Sequence, residues 1–356
     1  MKGNKTFIFL ILFALIFSTF YVNAEEMKVL RPSEAIDLAL NNNLDLQIAE
    51  INLENAEIDY EKQKAEGLES KYNELQAELQ IDQARQNYET EKNSIIISVV
   101  ENYLTILEEE ENLQIQQKQK ELQERSLEVT RSQYESGYVG RLDFVEAEHN
   151  YENLLLDLEY SRRELEQTKR DFKELLGLSN EKEIELLAIE IPEPLELEQA
   201  EVVEKIIDNS FGLEVDHRQL ELTELDLERA EITGVSPLEL KERQNQLKLA
   251  ELELEKNQRE IIVNAEKEYH DFQQLIDRLE MSEKGLEQEK ENYEITQRQY
   301  EAGIKTENDL LEAEIELLTE ENNHYGMIIN YLIGELNLRQ QMGHDLGAVY
   351  DDQLEE

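Results

Sequence analysis

Apolar residues recur along this chain at spacings of three and four, over stretches far longer than an ordinary globular helix, with breaks at only a few glycines and prolines. Ala35, Ile36, Ala39 and Leu40 follow Pro32-Ser33-Glu34, with Ser33 as the expected N-cap. From Leu44 the positions Ile48, Ile51, Ala56, Ile58 and Ala65 carry a stripe to Gly67. A second run, Leu68 to Tyr134, holds neither proline nor glycine. Its residues Leu68, Tyr72, Leu75 and Leu79 step by four, three and four, as a coiled-coil seam does. A third helix is predicted from Asp143 to Leu176, with Phe144, Ala147, Tyr151, Leu154, Leu155 and Leu158 on one face. Pro192 and Pro194 break the pattern, so Ile184 to Leu197 reads as an extended connector.

Beyond the connector the plan repeats. Asn42 to Gly67 overlays Asn209 to Gly234 at an offset of 167, and both segments end on glycine. QYESGYVGRLDFVEAE, Gln133 to Glu148, returns as QYEAGIKTENDLLEAE, Gln299 to Glu314, with eight of sixteen positions identical. Each copy reads as a helix stop, a tight turn and a helix restart. Gly137 and Gly303 can take the left-handed conformation that ends a helix, and Asp143 and Asp309 lie close enough to the next first turn to favour its free amides. The chain is an internal duplication with two equivalent hairpin tips.

Helix lengths set the architecture. Ser33 to Glu66 and Asp143 to Leu176 are 34 residues each, and the uninterrupted run between them is 67. Two short helices stacked end to end thus match one long helix of about 100 Å. The fold class is all-α: two tandem repeats of long antiparallel coiled-coil hairpins. The expected divisions are a leader at 1–24, a first repeat at 25–183 with its tip near 137, a connector at 184–197, a second repeat at 198–343 with its tip near 303, and a frayed acidic tail at 344–356. Ribbons so narrow leave apolar stripes that only lateral packing can bury, which implies a homo-oligomer.

Composition agrees. A third of the residues are charged, and there are 4 prolines, 13 glycines, no tryptophan and no cysteine. This suits long exposed helices, and excludes disulfide and thiol chemistry. Lys2 and Lys5, the apolar run Phe7 to Val22 and Val22-Asn23-Ala24 read as an export signal cleaved after Ala24, an uncleaved inner-membrane anchor being the alternative. The net charge of −48 excludes nucleic acid and anionic headgroups as electrostatic partners. Such charge density suits a salty working environment, unless it is only a habit of the lineage.

Site chemistry for an enzyme is not legible. His149, His217, His270, His324 and His344 have no second ligand at helical spacing, and Glu108 to Glu111 point around a helix rather than at one ion. Tyr103 and Tyr269, 166 apart, read as seam-packing residues. No cofactor is expected, and no phosphate loop, nucleophile elbow or metalloprotease motif is present.

The two tips, Tyr134-Glu135-Ser136-Gly137 with Asp143 and Tyr300-Glu301-Ala302-Gly303 with Asp309, together with SEAIDLALNNNLDLQIAE from Ser33, resemble the TolC-like outer-membrane efflux factors. The likeness spans nearly all of the chain after the leader. It implies trimers whose twelve helices form a hollow periplasmic tube. It also implies tips, at Gly137, Tyr138, Val139 and Asp143 and at Gly303, Ile304, Lys305 and Asp309, that meet a periplasmic adaptor (membrane fusion) protein serving an inner-membrane pump. One departure is large. That family carries a β-hairpin between the first helix and the long helix of each repeat, building an outer-membrane barrel. Here Gly67 and Gly234 lead straight into helix, without the 9 to 11 alternating residues that a membrane strand needs.

The resemblance implies an exported, non-enzymatic efflux conduit of the periplasm or outer membrane. An acid-lined lumen in such a tube would favour cations. The rival reading is a periplasmic coiled-coil scaffold or spacer derived from an exporter, which the missing strands favour and the paired tips disfavour.

Overall fold

Two unbroken helices of equal length set the scale of the molecule. The computed structural model describes residues 28–67, 70–180, 183–188 and 194–347; the expected leader, Pro192 and the tail beyond 347 lie outside them. In chain order the elements are strand β1 (Lys28–Leu30), helices α1 (Pro32–Asn42), α2 (Leu44–Glu66), α3 (Lys71–Glu135) and α4 (Arg141–Leu175), strand β2 (Ile184–Leu186), and helices α5 (Gln199–Asp208), α6 (Phe211–Thr233), α7 (Pro237–Glu301) and α8 (Glu307–Gln341).

Helices α3 and α7 run 65 residues each, about 100 Å at a rise of about 1.5 Å. Ser70 and Ser236 start them, their hydroxyls accepting the Asn73 and Glu239 amides at 3.3 Å. Beside α3 lie α1 and α2, of 11 and 23 residues, and then α4, of 35. Beside α7 lie α5 and α6, of 10 and 23 residues, and then α8, of 35. The short helices abut at mid-rod, where Asn42 donates its side-chain amide to the Leu176 carbonyl and Asn209 to that of Met342. Across the layer the packing order is α2–α3–α6–α7 at one end and α4–α3–α8–α7 at the other.

The buried seam is narrow. In α7, Ala265, Phe272, Leu279 and Leu286 recur every seventh residue, as do Leu158, Leu165 and Phe172 in α4, the signature of coiled-coil contact. The core thickens only at the middle, where Ile96, Val99, Val100, Tyr103 and Leu104 are fully buried; each aliphatic side chain there contributes about 1.5–3 kcal/mol of burial.

At the same level β1 pairs in parallel with β2, Lys28 opposite Ile184. Tyr103, the central residue of α3, sends its hydroxyl between the carbonyls of Leu30 and Leu187, 2.8 Å from each. Tyr269, central in α7, donates to Leu197 at 3.3 Å, while the Leu195 amide donates to the Tyr331 hydroxyl at 2.8 Å. These tyrosines fasten a belt to the rods rather than only filling a seam, and burial pushes the Tyr103 phenol up to about 12.

Several sequence expectations need correction. The first helix is capped two residues earlier than expected: Pro32 occupies its first position, Arg31 is the cap, and the Glu34 carboxylate accepts the Arg31 amide at 3.1 Å. Ser33 therefore lies inside the helix, because a proline, lacking an N–H, fits the first position best. That helix also breaks at Asn43, whose side chain caps α2 through the Leu46 amide at 2.9 Å. The connector is not wholly plain extended chain, since Ile184–Leu186 is paired strand. The start of the tail is docked rather than frayed: Leu346 is fully buried, and Asp345 pairs with Lys92 at 2.9 Å. Nor is Glu108 to Glu111 a fully solvated face. Glu109 accepts from Thr168 at 3.2 Å, Glu110 pairs with Lys169, and burial raises the carboxyls of Glu108 and Glu109 above their ordinary range.

Candidate functional site

The two hairpin tips form at one end of the rods, and each is built by its own local chemistry. At the first, Gly137 takes φ +75°, and the amides of Gly137 and Tyr138 return to the Tyr134 and Gln133 carbonyls at 3.0 and 2.8 Å. This glycine stop satisfies the last carbonyls of α3. At the second, Gly303 takes φ +74°, with Gly303 and Ile304 bonded back to Tyr300 and Gln299 at 2.8 Å each.

Asp143 and Asp309 act at the restart. Each sits at the third position of its helix and accepts the amide of the cap residue, Gly140 at 2.9 Å and Thr306 at 2.7 Å. Both are the return half of a capping box. The second box is fuller: the Thr306 hydroxyl donates to Asp309, the Asp309 amide donates to Thr306, and Lys305 pairs with the same carboxylate at 3.1 Å. These bonds, the Thr306 hydroxyl foremost, hold the Asp309 carboxyl down at about 2.

The tips also differ in their side chains. Tyr138 stands fully out in solvent with Leu142 close by, and Val139 is half-buried. Below them the rings of Tyr134 and Phe144 stack at 5.2 Å with an interplanar angle of 4°, and the Arg131 guanidinium lies over Phe144 at 5.8 Å. The second tip exposes Ile304 and occupies Lys305 in its ion pair, and Leu310 replaces the stacked ring. Sequence reading missed Leu142, Phe144 and Arg131 as parts of the tip. The aromatic pair flanking the glycine was the available signal.

The repeats are not level. Arg125 of α3 pairs with Glu307, the first residue of α8, at 3.0 Å, and Lys118 with Glu314 at 2.7 Å. Helix α3 continues ten residues past Arg125 to Glu135, so the first tip reaches about 15 Å further than the start of α8. At the opposite end Arg218 of α6 pairs with Asp82 of α3 at 2.6 Å. Asp82 is eleven residues into α3 and Arg218 fifteen from the end of α6, so there the second turn reaches further, by about 6 Å.

At that opposite end only residues 67–70 separate α2 from α3, and only 234–236 separate α6 from α7. Neither turn has room for a strand pair. Among the described residues the strands are β1 and β2 alone, no helix is long and apolar enough to cross a membrane, and no cluster of three His, Asp or Glu could hold a metal ion.

Comparison with known proteins adds the following. The family model described as outer membrane efflux protein matches residues 71–178 and 238–344. The outer membrane protein VceC of Vibrio cholerae superposes with a TM-score of 0.62 at 14% identity, covering 88% of this chain and 96% of that one. The CmeC outer membrane channel of Campylobacter jejuni gives 0.61 at 14% identity, covering 88% and 86%. A membrane protein from Pseudomonas aeruginosa gives 0.60 at 16% identity, covering 89% and 91%. At such identities the likeness is one of fold. No curated protein matches the chain.

Proposed function

Since the chain belongs to the outer membrane efflux protein family, we propose that it is the passive, non-enzymatic tube of an export system, assembled as a ring of identical copies. The observation that carries this reading is a pair of unpartnered apolar edges. On one side α2 exposes Leu44, Ile48, Ile51 and Ile58 at helical spacing; on the other α7 exposes Leu249, Leu252, Val263 and Met281. Unlike edges of one molecule meet head to tail, and such contacts close into a ring when the rotation allows. Each copy is four helices wide, so three copies supply the twelve helices of the expected tube.

In this reading the tips face an adaptor delivering cargo from an inner-membrane pump. Gly137, Tyr138, Val139 and Asp143 of the first tip, and Gly303, Ile304, Lys305 and Asp309 of the second, are the docking residues. The glycine stops hold compact turns, and Tyr138 and Ile304 offer apolar contact free of competing internal partners. A rival reading, an exporter-derived periplasmic spacer, is favoured by the lack of barrel strands among the described residues.

Sedimentation of the purified chain across dilution and ionic strength, with a photo-crosslinker at Tyr138 in cells, tests the proposal. A ring of three copies and an adaptor adduct are expected. A compact monomer throughout overturns the tube, and a ring without conductance in lipid bilayers bearing native outer-membrane protein leaves the spacer.

A further inference from the structure

The hairpin of α3 and α4 carries a groove on each face, and the two differ in charge. One lies on the side of the belt. Seven residues make two turns of a coiled-coil helix, so Gln117, fourteen beyond Tyr103, shares the side of α3 from which Tyr103 reaches the Leu30 and Leu187 carbonyls. Gln117 lines a groove in which Lys118, Lys120 and Arg162 are set against Glu121 and Glu159. Gln119 is two residues on, about 200° round the helix. It lines the other groove, where α8 joins α3 and α4 on the face away from the belt.

That second groove has a volume of about 540 Å³. Its acids are Asp157 of α4 with Glu312 and Glu316 of α8, all exposed, and no basic residue lines it. Among the described residues none of the three has an ion-pair partner, whereas their neighbour Glu314 is taken up by Lys118 at 2.7 Å. The floor is apolar: Leu154 of α4, with Leu122 and Ile315 from the small cluster around Ile115. Asparagine and glutamine side chains complete the wall, which runs about 10 Å from Asn150 to Asp157. The carboxylates do not converge on one point, and among the described residues no group of three could hold a metal ion.

We propose that this groove binds elongated organic cations, an alkyl chain lying on Leu122, Leu154 and Ile315 and its ammonium group against Asp157 and Glu316, and that such cations are cargo of the tube. An inorganic cation would gain nothing from the floor, and an anion of the same shape would meet three unneutralised carboxylates. The net negative charge of the chain draws any cation toward it. What singles out this groove is unpaired acid above apolar surface, which the belt-side groove, with its three basic residues, does not offer. The cargo role rests on the conduit reading. Twelve helices spaced about 8–10 Å apart enclose a bore of roughly 25 Å, which a belt on the inner side would obstruct, so the belt-free face is the one that lines the lumen.

The test measures binding of octyltrimethylammonium, below its micellar concentration, to the full chain by calorimetry at a physiological ionic strength of about 0.15 M. The double variant D157N/E316Q removes charge at exposed positions of the groove with little change of shape; E283Q/E287Q removes the same charge from exposed positions of α7 outside it. Expected are saturable binding to the parent and to E283Q/E287Q, and a loss of about tenfold or more in affinity for D157N/E316Q. Tetramethylammonium, with no chain to bury, should bind the parent weaker by at least about the same factor, and octyl sulfate should not bind. Equal weakening by the two variants would identify a diffuse ion atmosphere and overturn the proposal. Undiminished binding to D157N/E316Q, or octyl sulfate binding as tightly as the cation, also overturns it. Sedimentation reads the conduit separately: a monomer that binds the cation keeps the site and removes the tube, whereas a ring that does not bind it removes the site alone.

Discussion

The side-chain amide of Asn42 donates to the Leu176 carbonyl at 2.9 Å, joining the end of α1 to the end of α4 across 134 positions of sequence. Its twin in the second repeat runs from Asn209 to Met342 at 3.0 Å. Beside each bond lies a left-handed glycine, Gly177 at φ +66° or Gly343 at φ +78°, where an added Cβ would strike the asparagine. Asn42→Ala is expected to cost about 1 kcal/mol, one hydrogen bond. Gly177→Ala is expected to cost about 2 kcal/mol, from the left-handed backbone and the clash together. Urea unfolding reads both, and an unaffected Gly177→Ala would show that the abutment carries no strain.

The slide between repeats is testable by distance. Cysteines replacing Arg125 and Glu307 should join through a short bifunctional maleimide within one chain, because these residues form an ion pair at 3.0 Å. Cysteines at Gly137 and Gly303, equivalent by duplication but separated along the rods, should not. Joining of the second pair and not the first would mean that the tips are level.

Asp309 gives the second tip its pH dependence. Its carboxyl is held at about 2 against an ordinary 3.8. A depressed acid stabilises the folded turn above the unfolded value and loses that contribution as pH falls through the folded one. The protection of the Thr306 amide, its exchange rate relative to the free peptide at the same pH, should hold at neutral pH and fall between pH 3.8 and about 2. Asp309→Asn should show quick exchange already at pH 7; slow exchange in that variant would deny the carboxylate its role.

Tyr103→Phe removes the hydroxyl shared by the Leu30 and Leu187 carbonyls, with an expected loss of about 1–3 kcal/mol. Tyr269→Phe should cost less, since its bond to Leu197 is longer at 3.3 Å. The raised Tyr103 phenol adds an alkaline signature. Its stabilisation is full below the ordinary value of 10.0 and is lost as pH rises toward about 12. Thermal unfolding of Tyr103→Phe should therefore lack the part of the fall between those values that Tyr103 causes in the parent chain.

Much of this fold is legible before any coordinates, because the two repeats speak through long-range periodicity. The 65-residue helices, their broken partners and both glycine tips follow from apolar spacing and from where glycine interrupts it. The belt does not. Three-residue strands such as Lys28–Leu30 leave no alternation to detect, and their pairing with Ile184–Leu186 is decided by contact alone. The slide is equally silent, since each repeat fixes its own hairpin register while the offset between repeats depends on pairs such as Lys118 with Glu314. Leu346 is a single apolar position near the end of a tail that reads as acidic as a whole, so no periodicity marks it as buried.

The net charge of −48 predicts a salt response. At molar salt the Debye length falls to about 3 Å, and repulsion between neighbouring carboxylates is screened. The melting temperature should rise from low to molar sodium chloride. A flat response would assign the acidity to ancestry rather than habitat.

Pairing Lys28 with Ile184 has a consequence for the order of events during synthesis. The amino-terminal strand emerges first but has no neighbour until more than 150 further residues have been made. Helices α3 and α4 can coil together beforehand, since their contacts are close in sequence, whereas the strand closes a long loop and so joins slowly. The strand Lys28–Leu30, made early, is thus among the last elements to settle, and a stalled or truncated product ending before Ile184 would leave it without its partner.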